Sequence, residues 1–278
     1  MSPIRHSLVA LCGLFMISAP QAMAAERIVS AGAGVTELIL ALDGAAKLAA
    51  VDVTSSLPAK LANLPKVGYH RQLGSEGILA LGPDLLVGSD AMGPKTTLDT
   101  LRQAGVEVLV LPTASGSDEL KANIHALGKH LNQEQKAAAL ASDVEQRLTK
   151  LKQQKVSGKV LFVLMQSGRP ARVGGKGTAA DSIITLAGVS NIADFEGYRD
   201  VSAEGLLVMA PELILVANRG EAELSADKVL EQIPLLAHTP AGKKGAIQVL
   251  PGAALIGGVG LGAISAAEAL QAQFAPEN

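Results

Sequence analysis

Cysteine is almost absent from this 278-residue chain, and the single one, Cys12, lies in the apolar run 8–17. Arg5 precedes that run, and the small residues Ala22 and Ala24 follow it. This order is typical of a secretory signal peptide, and the run is too short for a membrane span of ~20 residues. We therefore expect residues 1–24 to be removed on export to the periplasm. The mature chain then has no disulfide, no thiolate metal ligand and no cysteine nucleophile.

Aromatic residues and excess positive charge are also scarce. The chain contains no Trp, four Phe and two Tyr, and its formal net charge is −2 without a long basic run. Binding to a nucleic-acid backbone needs a basic face, so we expect no nucleic-acid partner. Hydrophobic residues make up 48% of the chain, which is enough for a large core in one or two domains.

Several catalytic and cofactor signatures are missing as well. The chain has no Gly-x-Ser-x-Gly elbow, and Glu37 occupies the position where a dinucleotide fingerprint needs its third glycine. The glycine-rich segment 257–262 lacks the Lys-Ser/Thr pair of a P-loop, so it predicts a tight connection. No cluster of histidines and carboxylates indicates a zinc or manganese site. We expect a protein that is not an enzyme. An exported αβ hydrolase, with a Ser-His-Asp triad dispersed along the chain, stays open as the alternative from another class.

What the sequence does contain is an internal repeat. Segment 73–88 matches segment 201–216 at a constant offset of 128 residues (201 − 73), with Glu204 aligned to Glu76 and Pro211 to Pro83. The loops before the two segments also agree, because each contains a Gly-Tyr pair, at Tyr69 and at Tyr198. Agreement over sixteen positions indicates two related halves, and therefore a bilobed protein.

Apolar periodicity predicts an α/β fold made of two similar αβ lobes. Short apolar runs separated by Gly or Pro predict strands at 28–30, 48–51, 85–87, 106–111, 159–164, 214–216 and 247–250. Helical patterns alternate with them at 35–42, 96–103, 179–186 and 265–274. This alternation predicts parallel sheets flanked by helices.

One long helix is predicted between the lobes. Leucines and a valine at helical spacing indicate a helix within 132–154, and Asn132 with Gln135 forms a capping-box candidate at its start. Ser117 is a candidate cap for the preceding helix. We expect an N-terminal lobe at 25–131, a rigid interlobe helix at 132–154 and a C-terminal lobe at 155–278.

The stretch 67–90 carries the most specific chemistry, because Tyr69, His70 and Arg71 lie together in a glycine-bounded loop. The run 68–79 resembles the corresponding motif of the periplasmic haem-binding proteins of bacterial haem ABC importers, and segment 93–97 agrees further. This family belongs to the helical-backbone class of solute-binding proteins, which also contains ferric siderophore and cobalamin binders. The resemblance covers essentially the whole mature chain.

The resemblance implies roles for several residues. Tyr69 would be the metal-binding residue, as the axial ligand of the iron of ferric haem. The haem itself would be the transported ligand. Arg71 would bond that phenolate or a haem propionate, and a cation beside a phenol favours the charged form. Glu76 and Glu204 would dock onto a dimeric ABC permease of the inner membrane, one from each lobe.

The far side of the haem is less defined by the resemblance. Some family members place a histidine in the loop that follows the first strand of the second lobe, but residues 165–172 contain none. A second axial ligand and the binding of two stacked haems are therefore open. Arg219, Tyr198 and His70 are expected to support the haem site, and Arg169 and Arg172 are weaker candidates.

These expectations combine into one function. The chain would be a monomeric periplasmic binding protein that takes up ferric haem b between two lobes and delivers it to the permease. A ferric siderophore or cobalamin binder of the same class is the alternative cargo assignment.

Overall fold

The computed structural model of the protein describes residues 25–165, 169–218 and 224–275. A four-stranded parallel sheet organises the first half of the chain, with the spatial order β2-β1-β3-β4. Its strands are β1 (Ile28–Ala31), β2 (Leu48–Val51), β3 (Leu85–Ser89) and β4 (Glu107–Leu111). The flanking helices are α1 (Ala33–Ala41), α2 (Ser75–Leu79), α3 (Lys95–Gln103) and α4 (Ser117–Leu131), with 3-10 turns at Gly44–Lys47 and Ala59–Leu61. The two central strands, β1 and β3, are almost wholly buried, as expected for strands covered on both faces.

The second half of the chain repeats this arrangement after the long helix α5 (Glu134–Gln153). Its strands are β5 (Lys159–Met165), β6 (Arg172–Gly174), β7 (Ser190–Asn191), β8 (Tyr198–Asp200), β9 (Leu213–Asn218) and β10 (Ile247–Val249). Its helices are α6 (Ala179–Leu186), α7 (Ala203–Met209), α8 (Ala226–Gln232), α9 (Pro240–Lys243) and α10 (Leu261–Ala272), with 3-10 turns at Pro234–His238 and Gly252–Leu255. Strands β10, β9, β5 and β7 are parallel neighbours, in the order that β4, β3, β1 and β2 follow in the first lobe. The α/β fold of two similar lobes is therefore confirmed.

The internal repeat appears in the positions of the elements. Helix α7 begins 128 residues after α2 (203 − 75), and β9 begins 128 residues after β3 (213 − 85). The helix and strand of each repeat therefore occupy the same place in the two lobes.

The second sheet differs from the predicted parallel sheet in one respect. Strands β6 and β8 are antiparallel additions, and β6 pairs with the last part of β5. The reason is local, because helix α1 begins two residues after β1, whereas α6 begins only after the chain has turned back as β6.

The predicted helix caps are wrong. Ser117 is the first residue of α4 and donates to Glu145 on α5 instead of capping its own helix. Asn132 has a φ of 55° and ends α4 in the left-handed conformation, so it cannot begin α5. The N-cap residue of α5 is Gln133, and its side chain makes no capping hydrogen bond. The chain passes from α4 to α5 in a short turn between the two packed helices, and the predicted capping hydrogen bonds do not form.

One hydrophobic core is shared by both lobes. Residues of one face of each sheet, including Ile28 and Phe162, belong to the same buried cluster as Val144 of α5 and Leu270 of α10. Two smaller cores lie separately, around Val29 in the first lobe and Leu161 in the second. Successive strand residues point to opposite faces, so one face of each sheet serves its own lobe and the other joins the lobes. The shared core couples the two lobes by apolar burial, not only by the connecting helix.

The glycine-rich segment 257–262 forms a second junction between the lobes. Val259 donates its backbone N–H to the carbonyl of Ala114, at 2.8 Å, and Gly258 bridges to the same residue. Glu37 of α1 accepts a hydrogen bond from the backbone N–H of Gly262 at the start of α10, at 3.0 Å. The two contacts with Ala114 connect residues that follow β4 with residues that follow β10, and the contact with Glu37 connects α1 with α10. The segment therefore makes the tight connection predicted from its sequence.

Gly258 is required by this close approach. Its φ is +75°, and a Cβ atom there would lie 2.3 Å from the carbonyl oxygen of Ala114. Gly245 has a similar φ of +65°, but a Cβ atom at that position would meet nothing within 4 Å. A side chain at either position would therefore strain the backbone to a similar degree. Only at position 258 would its Cβ atom also overlap a neighbouring atom.

We predict that Gly258→Ala destabilises the protein more than Gly245→Ala. The backbone strain costs each variant about 1 kcal/mol, and the overlap at position 258 adds about 1–3 kcal/mol. Urea unfolding of both variants beside the wild type measures the two free energies. Equal losses of unfolding free energy in the two variants would show that the interlobe junction shifts to accommodate a side chain at position 258.

Candidate functional site

The loop with Tyr69, His70 and Arg71 lies at the edge of the first sheet where its parallel strands end. In open parallel sheets, ligands bind outside the carboxyl ends of the strands. In the first lobe this edge carries the residues after β1, β2, β3 and β4, and the Ala114–Gly258 contact brings it against the matching edge of the second lobe. The interlobe cleft is therefore bordered by strand ends from both lobes.

The loop that carries Tyr69 is held by backbone hydrogen bonds on both sides. Val53 donates to the carbonyl of Gly68, at 2.9 Å, on the side of β2. On the other side, Gly93 donates to the carbonyl of His70, at 2.9 Å, and accepts from Leu73, at 2.8 Å. The loop is thus fixed between the ends of β2 and β3.

Tyr69 presents its ring at the surface of this edge. The residue is 43% exposed, and Val53, which bonds the tyrosine loop at Gly68, is 56% exposed. Arg71 is also exposed, and its side chain makes no hydrogen bond or ion pair with any residue that the structure describes. A phenol, an apolar surface and an available cation can together receive a flat, anionic metal chelate.

His70 is placed differently from its two neighbours. It is 3% exposed, and its Nδ1 atom lies 3.0 Å from Oδ2 of Asp52, which is fully buried. His70 therefore points into the protein and contacts the Tyr69 ring from behind, with the ring centroids 4.5 Å apart. Its predicted role as support for the site stays a prediction, and a direct contact with a ligand in the cleft does not follow from this placement.

Asp52 lies at the centre of a buried polar network. Its carboxylate accepts hydrogen bonds from Thr54 at 2.6 Å and Ser55 at 2.7 Å, as well as from His70. Burial acts to raise the pKa of Asp52, but the hydrogen bonds from His70, Thr54 and Ser55 outweigh it and lower the pKa to about 2. Asp52 is therefore a carboxylate at neutral pH.

No sequence pattern predicted this network. Thr36 joins it through hydrogen bonds of 2.7 Å to both Ser55 and Ser30, so residues from β1, α1 and the end of β2 are connected. A polar Asp-Val-Thr-Ser sequence directly after the buried strand β2 was the available signal. Sequence alone does not show that these side chains meet a histidine eighteen residues later.

In the second lobe, Tyr198 is engaged in packing. Its ring lies edge-on to Phe162 of the shared core, with centroids 6.4 Å apart, and the guanidinium of Arg172 lies 5.5 Å from its centre. Arg172 also donates to the Tyr198 carbonyl and forms an ion pair with Asp200, at 3.2 Å. Arg172 is at the carboxyl edge beside the end of β5, and Tyr198 is two residues farther from that edge. The predicted contact of Tyr198 with a ligand stays a prediction.

Two parts of the predicted site lie outside the described residues. Arg219 follows β9 directly, and residues 166–168 follow β5. Arg219 therefore also stays a prediction. Arg169, a weaker candidate, is exposed near the end of β5.

Glu76 and Glu204 occupy equivalent places. Each lies in the first turn of a helix, α2 or α7, that returns from the cleft edge to the start of a strand. Both side chains are exposed. The pKa of Glu204 is lowered by hydrogen bonds from its own backbone N–H and from Ser202, so it is charged at neutral pH. The repeat thus places one carboxylate on the cleft side of each lobe.

Comparison with known proteins agrees with this architecture. Residues 28–254 match the model of the periplasmic binding protein family, and the chain belongs to that family. The periplasmic haem-binding protein HutB of Vibrio cholerae is 43% identical, with a TM-score of 0.80 over 90% of this chain and 99% of that chain. A periplasmic haem-binding protein from Pseudomonas aeruginosa is 38% identical, with a TM-score of 0.80 over 91% of this chain and 94% of that one.

A relative with a different ligand is also similar. The vitamin B12-binding protein of Vibrio cholerae is 33% identical over 215 residues, which cover 73% of this chain and 78% of that protein. The resemblance expected from the motif around Tyr69 is confirmed. The chain is a periplasmic binding protein of the class that takes haem, vitamin B12 and siderophores.

The buried carboxylate gives a pH-dependent prediction. The pKa of Asp52 is lowered in the fold, so its contribution to stability is present above the unfolded value of 3.8 and is lost as the pH falls towards about 2. We predict that Asp52→Asn lowers the free energy of unfolding by about 2 kcal/mol at pH 7.

The difference between the wild type and this variant should shrink between pH 4 and pH 2. Urea unfolding at pH 7 and at pH 2.5, with both proteins compared at each pH, measures it. A difference that is independent of pH would show that the carboxylate charge does not stabilise the fold.

Proposed function

We propose that this protein binds ferric haem in the interlobe cleft, with Tyr69 as the axial ligand of the iron. The observation that carries the proposal is the exposed phenol of Tyr69 on a loop held at the cleft edge, with Arg71 beside it. A ferric ion prefers a charged oxygen ligand, and the cation at Arg71 favours the phenolate over the phenol. The similarity to two haem-binding proteins, at 43% and 38% identity, supports the same ligand.

The surroundings of Tyr69 suit a porphyrin. Val53 offers an exposed apolar surface next to the tyrosine loop, against which a porphyrin face can pack. Arg71 can pair with a haem propionate where it does not bond the phenolate, because a guanidinium matches a carboxylate with two parallel N–H donors. The protein does no chemistry on the haem in this proposal, and haem b is cargo.

Cobalamin is the second candidate ligand, and the similarity to a vitamin B12-binding protein favours it. A ferric siderophore is the third, within the same class. A protein phenolate is of no use to a ligand whose metal is already fully coordinated. The position of Tyr69 therefore favours haem over both.

We propose that delivery uses the two equivalent glutamates. Glu76 and Glu204 would meet basic residues of a permease built from two copies of one chain, since two carboxylates at equivalent places match two equivalent partners. The protein would act as a monomer in the periplasm after loss of residues 1–24. Those residues lie outside the described part of the chain, and within that part no helix is long and apolar enough to cross a membrane.

Haemin titration of the mature protein tests the ligand. We expect one-to-one binding with a ferric high-spin spectrum of the tyrosinate type. Tyr69→Phe keeps the ring and removes the hydroxyl, so the charge-transfer band should disappear. Affinity should fall by more than the roughly 10- to 100-fold that loss of an outer-shell partner costs.

Tyr198→Phe is the matched control for the charge-transfer band, which should remain, because this other tyrosine of the chain is predicted to support the haem without ligating its iron. A wild type that binds cyanocobalamin and gives no specific haem spectrum would overturn the proposal. Haem binding that is unchanged in Tyr69→Phe would leave haem as the ligand and exclude Tyr69 as the axial residue.

Charge reversal tests the docking surface. Glu76→Arg and Glu204→Arg should each lower haem-dependent ATP hydrolysis by the cognate permease in liposomes by roughly tenfold, because like charges would face each other. Haemin affinity should not change, since neither residue lies in the tyrosine loop. Glu231→Arg, at an exposed position in the last turn of α8, is the control. Full stimulation by both cleft-side variants would exclude these glutamates from docking.

A further inference from the structure

The pair formed by Asp52 and His70 lies directly behind the residue that would bind iron. Asp52 is fully buried and His70 is 3% exposed. Since an ionised carboxylate only accepts hydrogen bonds, the proton between them belongs to Nδ1 of His70, which donates to Oδ2 at 3.0 Å. The orientation of the imidazole ring is therefore set by a buried charge.

The carboxylate itself has little freedom. Thr54 and Ser55 donate to its two oxygens, at 2.6 and 2.7 Å. Ser55 is held in turn by Thr36, which also bonds Ser30 of β1. Through these bonds the position of Asp52 is fixed to the first strand and the first helix of the lobe.

The imidazole ring of His70, held by Asp52, contacts the ring of Tyr69. The two ring centroids are 4.5 Å apart, with the ring planes inclined by 57°. Adjacent side chains usually point apart, but here the backbone turns, with Gln72 donating to the carbonyl of Tyr69 at 2.8 Å. An exposed tyrosine without a packed neighbour would sample several staggered rotamers. This contact limits the rotamers that Tyr69 can adopt.

We propose that Asp52 and His70 are positioning residues that hold the Tyr69 ring in the orientation from which its oxygen ligates iron. The inference rests on the proposed function, since it assigns a task to residues behind the same site. Asp52 acts through His70, and His70 acts through its ring contact with Tyr69. Neither residue touches the haem.

The ionised Asp52 carboxylate stabilises the fold through its hydrogen bonds, and the contact of His70 with Tyr69 gives the same pair a second task. A ring held in advance reduces the ordering cost that ligand binding would otherwise carry, which is about three- to tenfold in affinity for one side chain.

The test begins with the protein free of haem. The chain has two tyrosines, so ring-labelled tyrosine gives two sets of NMR signals, and Tyr198 serves as an internal reference. In Asp52→Asn and in His70→Leu, the Tyr69 signals should move towards those of a free tyrosine, while the Tyr198 signals stay in place. Thr239→Ala is the matched control, because it removes the hydrogen bonds of another fully buried side chain, which donates to the carbonyl of Leu236 in the second lobe, and leaves the Asp52–His70 pair intact.

Haemin binding is then measured on the same variants. Asp52→Asn and His70→Leu should weaken the affinity by about three- to tenfold and broaden the tyrosinate charge-transfer band, and Thr239→Ala should do neither. Unchanged Tyr69 signals in Asp52→Asn would overturn the inference. Because asparagine has the same size as aspartate, this variant alone decides the question if His70→Leu does not fold. A wild type that does not bind haem would overturn the proposed function. The NMR result on the haem-free protein would still decide whether Asp52 and His70 hold the Tyr69 ring.

Discussion

The hydrophobic core shared by the two lobes is the constraint on which the rest of the structure depends. Each sheet contributes one face to this core, and helices α5 and α10 complete it between them. Because well-packed interiors resist deformation, the shared core fixes how the two cleft edges face each other. The contact of Ala114 with Gly258 adds a second fixed point between residues that follow β4 and residues that follow β10. A ligand that enters between the lobes therefore meets side chains whose spacing is set by the scaffold.

On this scaffold, polar groups are divided between two tasks. The buried polar groups around Asp52 form hydrogen bonds with one another, and these bonds connect the end of a strand with the tyrosine loop. Exposed ones, such as Arg71 and Glu76, have no such network and face the cleft edge or solvent. Recognition needs side chains that can exchange water for a ligand, whereas their placement needs side chains that cannot move. The same short loop supplies both, because His70 points inward while Tyr69 and Arg71 point outward.

The class of the protein could be predicted from sequence because its signals are local or repeated. Strand and helix positions follow from apolar spacing, and the repeat around Glu76 and Glu204 is enough to indicate two lobes. The choice of ligand is different. Haem-binding and vitamin B12-binding proteins share this fold, so the architecture alone does not decide the ligand, and the proposal of haem rests on loop residues such as Tyr69.

The sequence by itself determined the alternation of strands and helices, the two-lobed organisation and the loop that carries Tyr69. Each of these depends on residues that are neighbours along the chain or recur at a constant offset. Only the tertiary structure decided that Asp52 meets His70, that Tyr198 packs on Phe162, and that β6 and β8 turn the second sheet into a mixed one. These contacts join residues distant in sequence, and their energies depend on burial and on competing partners, which appear only when the chain is folded.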